Sequence, residues 1–584
     1  MFKKKKTSLP LILGAAVLLI AGGAVAYWLF VQRQEVVGEV PIGAQLIPQD
    51  ALLAVSMSTE PEQWQQLREY GTPETQAILD KQLATLRDTF LTANGYNYQQ
   101  DIQPWLGKEV TIATLASRTS TATSNPTKSA PGGAVPLAQH PTIMVLPIED
   151  PLKAQQLLSK PKSPSSPKFV ERTYKGIQIR ETRTAKSQNL STTVLGRSLV
   201  VTTDPKATER AIDTYKGEPS LAATPGYPQA LGQIQSAQPF GQLYLNVPVA
   251  AATAAASSAR ALSSENLAQA QQKQGIAATA TLEPEGMSFK GISWFKPNSQ
   301  KKLIVENNAK NMPSRLPADT LLMMSGGNLQ QLWQDYAEGA QSNPLTPIKP
   351  ENVRAGLKST TGLDLEQDLL PWMKGEFSLA LIPKPPEIPS ELGAGVVLMV
   401  QASDRDRAEK TFNQLDEVMS KKYQFQVQQT ELGGQPIVNW TSQLGGLTAT
   451  HGWLDGNVAF MTLGAPLAQV VVPKPKATLE DNELFKNAVF ADLSPKNGHF
   501  FIDVDRTIND GNLALPQFAP QQKTLLAGIR AIKVSAAIRN ERSSRFDIFV
   551  LLKKVGKPAL IPSPSLSPKS SPSSTASGSP SLKP

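Results

Sequence analysis

The sequence predicts an α+β protein: a tandem duplication of two similar lobes with mainly antiparallel sheets and flanking helices, preceded by one transmembrane helix. Three observations predict it. An uncharged run lies near the amino end, a ten-residue motif is written twice, and short apolar runs alternate with helical spacing and turn signals. A chain of 584 residues exceeds one ordinary core of roughly 100–200 residues, so more than one folded unit is expected. With 40% hydrophobic and 18% charged residues the body has the composition of a globular protein.

The amino end comes first. Residues 1–8, "MFKKKKTS", form a basic stub, and the run from Leu9 to Val31 carries no charge over 23 residues. At ~1.5 Å per residue that run is long enough to cross a bilayer as a helix. The lysines ahead of it keep the stub in the cytoplasm and place everything beyond Arg33 on the far side. Ala24-Val25-Ala26 fits a signal-peptidase site, but the apolar run continues through "YWLFV", which favours an uncleaved anchor. Membrane attachment through Leu9 to Val31 is therefore expected.

The first lobe is expected over 42–300. "ALLAVSM" reads as a buried strand bounded by a Pro-Asp turn, and Ile78, Leu79, Leu83, Leu86 and Phe90 have helical spacing up to a Gly95 cap. Then follow strand, strand, helix, hairpin, helices, strand and hairpin, with turns at Gly196-Arg197 and Glu285-Gly286. Ala250 to Lys273 is expected to be helical. Ser117 to His140 and "SKPKSPSSPK" at 159–168 are polar loops, Asn307 to Arg315 joins the lobes, and 562–584 is a Ser/Pro tail that cannot build a core.

The second lobe, over 312–556, repeats this order. "LIPQDALLAVS" aligns with "RLPADTLLMMS", and "QDIQPWLGKE" (100–109) with "QDLLPWMKGE" (367–376). Pro48 to Pro104 spans 56 residues and Pro317 to Pro371 spans 54, so both similarities belong to one repeat with a period near 260. "GQLYLNV" and "GHFFIDV" follow in the same order. Such a period means paired lobes, since solenoid and propeller repeats run to roughly 20–50 residues.

The motif residues are Asp101, Pro104, Trp105 and Glu109, and Asp368, Pro371, Trp372 and Glu376. In each lobe they lead into a strand, "VTIATL" or "FSLALI". The two aspartates suit the N-cap of a single helical turn, proline is tolerated in that turn, and each tryptophan is expected to plug the corner against the sheet. The competing reading is a ligand-stacking tryptophan with Glu109 or Glu376 as an acid, in which distant carboxylates could complete a glycosidase-like pair.

Chemistry is otherwise sparse. The chain has no cysteine, which excludes disulfides, thiol nucleophiles, cysteine-ligated zinc and iron–sulfur clusters. His140, His451 and His499 are too far apart for a paired-histidine metal motif, and "HG" at 451 and "GH" at 498 read as turn and strand-start residues. Asp503 and Asp505 read as alternating strand positions. No phosphate loop, dinucleotide fingerprint or nucleophile elbow occurs, so no catalytic residue, metal or cofactor is predicted. The net charge of +9 is matched by Lys3 to Lys6 and by Lys553, Lys554, Lys557, Lys569 and Lys583, leaving a balanced body with no nucleic-acid surface.

The anchor, "LIPQDALLAVSMSTEPEQWQQL", the "DIQPWLGKEV" corner and its second copy together resemble a family of uncharacterised membrane-anchored proteins found mainly in cyanobacteria, defined as a domain of unknown function. That resemblance covers almost the whole chain after residue 40. It implies a plasma or thylakoid membrane location, with the body in periplasm or lumen, and nothing about catalysis. The expected function is that of a non-enzymatic, membrane-tethered binding or assembly protein with an unknown protein partner. A carrier of a lipid or pigment in an apolar cavity is the alternative, and an unrecognised hydrolase the third.

Overall fold

The computed structural model describes residues 38–555 except 92–95, 117–139, 160–167, 184–189, 258–267, 269–270, 343–348, 389, 391, 443–447, 488–492 and 510–518. The predicted anchor, the Gly95 cap and the Ser/Pro tail lie outside the described residues, as do most of the loops at 117–140 and 159–168. Among the described residues no helix is long and apolar enough to cross a membrane.

The first half contributes β1 (Ala51–Ser58), β2 (Glu109–Leu115), β3 (Thr142–Pro147), β4 (Lys168–Tyr174), β5 (Ile177–Arg183), β6 (Ser191–Leu195), β7 (Ser198–Thr202), β8 (Gly241–Asn246), β9 (Lys273–Glu283) and β10 (Gly286–Phe295). The second contributes β11 (Leu322–Gly326), β12 (Phe377–Pro383), β13 (Ala394–Gln401), β14 (Gln426–Leu432), β15 (Gln435–Thr441), β16 (Thr448–Leu454), β17 (Val458–Gly464), β18 (Gly498–Asp503), β19 (Ile529–Asn540) and β20 (Ser543–Leu552). All pairings are antiparallel. The spatial order is β4-β5-β6-β7-β3-β2-β1-β8-β9-β10 in the first half. In the second it is β14-β15-β16-β17-β13-β12-β11-β18-β19-β20.

The two runs meet at β10 and β20, which pair from Gly286 opposite Leu551 to Trp294 opposite Ser543. One sheet therefore passes through the whole body. Tight approach is written into this seam. An added Cβ on Gly286, at φ +153°, would lie 2.0 Å from the Val550 carbonyl oxygen, and one on Gly291 would lie 2.1 Å from the Phe546 ring.

Strand alternation sends successive side chains to opposite faces, and helices cover both. On one face Ala54, Ala113, Ile143, Tyr244, Ala277 and Ile292 pack with Ala211 and Ile212 of helix Pro205–Tyr215 and with Tyr227 and Leu231 of helix Tyr227–Gly232. The same face of the second half joins Met323, Ala380, Val397, Phe460 and Phe501 to Leu479 and Phe485. On the other face, helix Arg405–Lys421 lays Ala408, Phe412 and Leu415 beside Trp372 and Val400. Asp404 caps that helix by accepting from the Arg407 N–H at 3.0 Å, and Gly362, at φ +77°, ends helix Pro350–Thr361 in the left-handed conformation.

Several elements differ from the sequence reading. Two hairpins, β4–β5 and β6–β7, lie between β3 and β8 where one was expected, because the charged pattern of 168–183 hides its strand period. Helix Val247–Ser257 begins ahead of the expected span, and Lys273 already opens β9. His451 sits inside β16, and Asp505 begins a short π-turn after β18 ends at Asp503.

Gly291→Val is expected to destabilise the protein by about 1–3 kcal/mol through overpacking against Phe546. Gly356→Ala, at an open helical position, should stabilise it by about 0.4–1 kcal/mol. Urea denaturation midpoints of the two variants check both signs.

Candidate functional site

The repeated motif builds the same corner twice. Trp105 and Trp372 are each 2% exposed, so neither indole face is open to a ligand. Each tryptophan carbonyl receives a backbone N–H from the chain as it leaves the second strand after the corner, β3 or β13: Glu149 N–H donates to Trp105 at 2.8 Å, and Ser403 N–H to Trp372 at 2.9 Å. Asp150 and Asp404, one residue further on, cap the helices that follow. The corner thus fixes where the covering helix starts.

Asp101 and Asp368 are not the N-caps expected from the sequence. Asn97 and Asp364 hold those positions, while the Asp101 and Asp368 carboxylates reach back to accept from the Asn97 N–H at 2.8 Å and the Asp364 N–H at 2.7 Å. This is the geometry of a capping box stretched by one residue, because the turns Tyr98–Ile102 and Leu365–Leu369 are wider than an α-turn. Pro104 is exposed and Pro371 half-buried, inside the bend that follows. The indoles differ. Trp105 Nε1 donates to the Asp101 carbonyl at 2.6 Å, whereas Trp372 Nε1 is buried without a hydrogen-bond partner among the described residues.

Glu109 and Glu376 hold the segments that lead into each half. Glu109 accepts from the Ile42 N–H at 2.6 Å, and burial raises its pKa. Glu376, 4% exposed, accepts from the N–H groups of Lys310, Asn311 and Met312 at 2.6, 2.7 and 3.1 Å and from Asn311 Nδ2 at 3.0 Å. One oxygen takes the three backbone N–H groups and the other the Asn311 side-chain amide, which suits an anchor for the incoming segment. Neither carboxylate is brought to the other's corner.

Three features escaped sequence reasoning. The first is an aromatic cluster in the second half, where Asp416 Oδ1 accepts from Trp440 Nε1 at 2.6 Å and bonds His451 Nε2 at 2.8 Å, with His451 stacked on Phe412 at 4.5 Å. It fastens helix Arg405–Lys421 to β15 and β16.

The second is a cavity of about 290 Å³ lined by Lys310, Glu480, Phe485, Lys496, His499 and Lys533 among others. Lys533 Nζ donates to the Phe485 carbonyl at 2.7 Å and lies 3.8 Å from the centre of its ring. Burial, helped by the Lys496 charge, pushes its pKa down to about 8. Burial likewise lowers Lys496, and pushes His499 down to about 3, so the imidazole is neutral. The available signal was Lys533 inside the apolar run "AIKVSAAI".

The third is a band across the face opposite that cavity. Ladder partners share a face, so the registers place Ala280, Phe289, Ile548, Val534, Phe500, Met324, Leu379, Leu398 and Met461 in one transverse row. Leu282, Met287, Val550, Ile532, Ile502, Leu322, Leu381, Val396 and Leu463 form the row beside it. At ~4.8 Å per strand, nine strands span roughly 38 Å. Leu379, Val396 and Leu463 are 37%, 38% and 49% exposed.

Corners, cavity and band define an α+β protein organised around one continuous antiparallel sheet. Residues 11–552 match the family described as a protein of unknown function, DUF3352, and the chain belongs to that family. No curated protein matches it. Among solved structures, crystal forms I, III and IV of TP0453 align at 8%, 7% and 7% identity with TM-scores of 0.24, 0.22 and 0.22. The alignments cover 44%, 44% and 47% of this chain and 80%, 80% and 83% of those chains, and likeness at this level carries no argument.

Trp105→Ala and Trp372→Ala should each cost about 3–5 kcal/mol of stability. Glu376→Ala should cost about 3 kcal/mol and Glu109→Ala about 1–2 kcal/mol, since more buried donors lose their acceptor in the first. Chemical denaturation would show the ranking.

His499 titrates at about 3 when folded and near 6.5 when unfolded. Between those values the unfolded chain binds the extra proton, so stability falls as pH drops. His499→Gln, which installs the residue found at Gln242 of the aligned strand "GQLYLN", should remove up to about 2 kcal/mol of the loss between pH 6.5 and 5. Denaturation curves at both pH values test this.

Proposed function

We propose that the protein is a non-enzymatic, membrane-tethered binding or assembly protein, exported by its amino-terminal anchor, with the apolar band as its docking face. The band carries the proposal. Its two transverse rows are buried at Val534, Ile548 and Val550 and open at β12, β13 and β17, where Leu379, Val396 and Leu463 are exposed, and an exposed apolar patch of this kind marks an interaction site. The partner it suits is an elongated apolar element, such as an amphipathic helix of another protein held at the same membrane. An anchor over 9–31 would leave only six residues before Gly38, whose N–H bonds the Pro228 carbonyl at 2.8 Å. That tether spans at most roughly 20 Å and holds the body beside the bilayer of a plasma or thylakoid membrane.

The body is read as a tandem duplication, with lobes at 42–300 and 312–556. The strand order repeats, and so do contacts outside the sheet: Leu221 N–H donates to the Ile47 carbonyl and Leu479 N–H to the Leu316 carbonyl, both at 2.8 Å. The carrier reading draws on the same band, whose narrow shape also suits a lipid or pigment chain.

Photo-crosslinking residues at Val396 and Leu463 of the full chain, in its own membrane, separate these readings. A single protein adduct at both sites, absent from the exposed control Val194 and lost in Leu379→Glu, is expected for assembly. A lipid or pigment adduct with the same pattern replaces assembly by the carrier. Adducts no more frequent than at Val194 would end both. Cytoplasmic activity of a carboxyl-terminal reporter fusion would overturn the export topology.

A further inference from the structure

We propose that the cavity beside Lys533 binds a small oxyanion, a phosphate or a carboxylate, between the amines of Lys496 and Lys533. The site is independent of the apolar band, because Lys533 lies on the other face of β19, between Ile532 and Val534 of the two rows.

The first argument is position. In the first half Ala277 of β9 lies opposite Tyr244 of β8 and Ile292 of β10. In the second, Lys533 of β19 lies opposite Phe501 of β18 and Phe549 of β20. The neighbouring aromatic pairs correspond as well: Tyr227 and Tyr244 have ring centres 4.8 Å apart, and Phe485 and Phe501 5.5 Å apart. The same local architecture is built with a methyl group in one half and an amine, 7% exposed, in the other. Folding does not require that amine, and burying it costs desolvation free energy.

The second argument is orientation. The Phe485 carbonyl and ring fix the ammonium at the cavity wall, and Lys496 lines the same cavity. Burial lowers the pKa of both amines, and the Lys496 charge lowers that of Lys533 further. A bound anion reverses that cost. Facing groups set the selectivity. His499 is neutral and its Nδ1 lies 3.2 Å from Ser535 Oγ, so it adds no charge. Lys310 lines the mouth, while Glu480 at the exposed rim and Asp547 beyond Lys496 oppose a second negative charge. The balance favours a compact anion of low charge over a polyanion, and about 290 Å³ suits one.

The test is titration of the full chain in detergent with sodium phosphate, sodium acetate or sodium chloride at matched ionic strength, read by thermal shift and calorimetry. Phosphate, acetate or both should raise Tm above the chloride control, and whichever does so names the class. Affinity should fall at least tenfold in Lys533→Ala and in Lys496→Met, the usual scale for losing one charge-assisted hydrogen bond. Wild-type affinity should also weaken between pH 7 and 9 as Lys533 loses its proton. Ala277 at the matching position indicates that Lys533→Ala folds, and Lys496→Met provides a second variant near the surface. Equal Tm shifts with all three salts, or unchanged affinity in both variants, would overturn the proposal, whatever the crosslinking at Val396 shows.

Discussion

The pairing of β10 with β20 is the constraint on which the rest of the body depends. It turns two ten-strand runs into one sheet, and so places the apolar residues of both halves in continuous rows. It also buries charge. Arg545 Nε and Nη2 donate to the two Asp547 oxygens at 2.9 and 2.8 Å, and the side chains are 4% and 0% exposed. Removing two charges from water costs several kcal/mol per ion, and this fork geometry is the arrangement that offsets it best. Both residues lie on β20 across from Lys290 and Ile292, so the pair sits in the join itself.

From that join the structure works outward by repetition. Each half hangs its helices on a tryptophan corner and ties its leading segment to a glutamate. The shared corners hold the scaffold, and the departures between halves are where chemistry collects. Ala277 and Gln242 face the interior of the first half, whereas Lys533 and His499, at the like register positions of the second, line its cavity. Trp372 Nε1, without a partner among the described residues, against the bonded Trp105 Nε1, is a further departure, and nothing in the structure explains it.

Sequence reasoning located the corners because their cause is local. A proline, a buried tryptophan and a following strand fall within ten residues, and the same letters occur twice. It missed the caps at Asn97 and Asp364, four residues ahead of Asp101 and Asp368, because each π-turn runs before the motif proline and contains the aspartate instead of starting at it. The second hairpin was hidden because β4 and β5 carry Arg172, Glu181, Arg180 and Glu171 as cross-strand ion pairs, so their pattern is polar on both faces. The seam, the apolar rows and the cavity could not be read from one sequence. Each depends on strand register across the halves, and residues such as Leu463 and Ala280, far apart in the chain, meet in one band only through it.

Amide hydrogen exchange on the intact protein tests the continuous sheet most directly. If β10 and β20 join the halves, the amides of Met287 to Ser293 and of Arg545 to Val550 exchange in the slowest class, with those of the core strands β1 and β11, and open together with them. Exchange of the β10 and β20 amides at the rate of exposed loops, while β1 and β11 stay protected, would show two separate sheets and contradict the account.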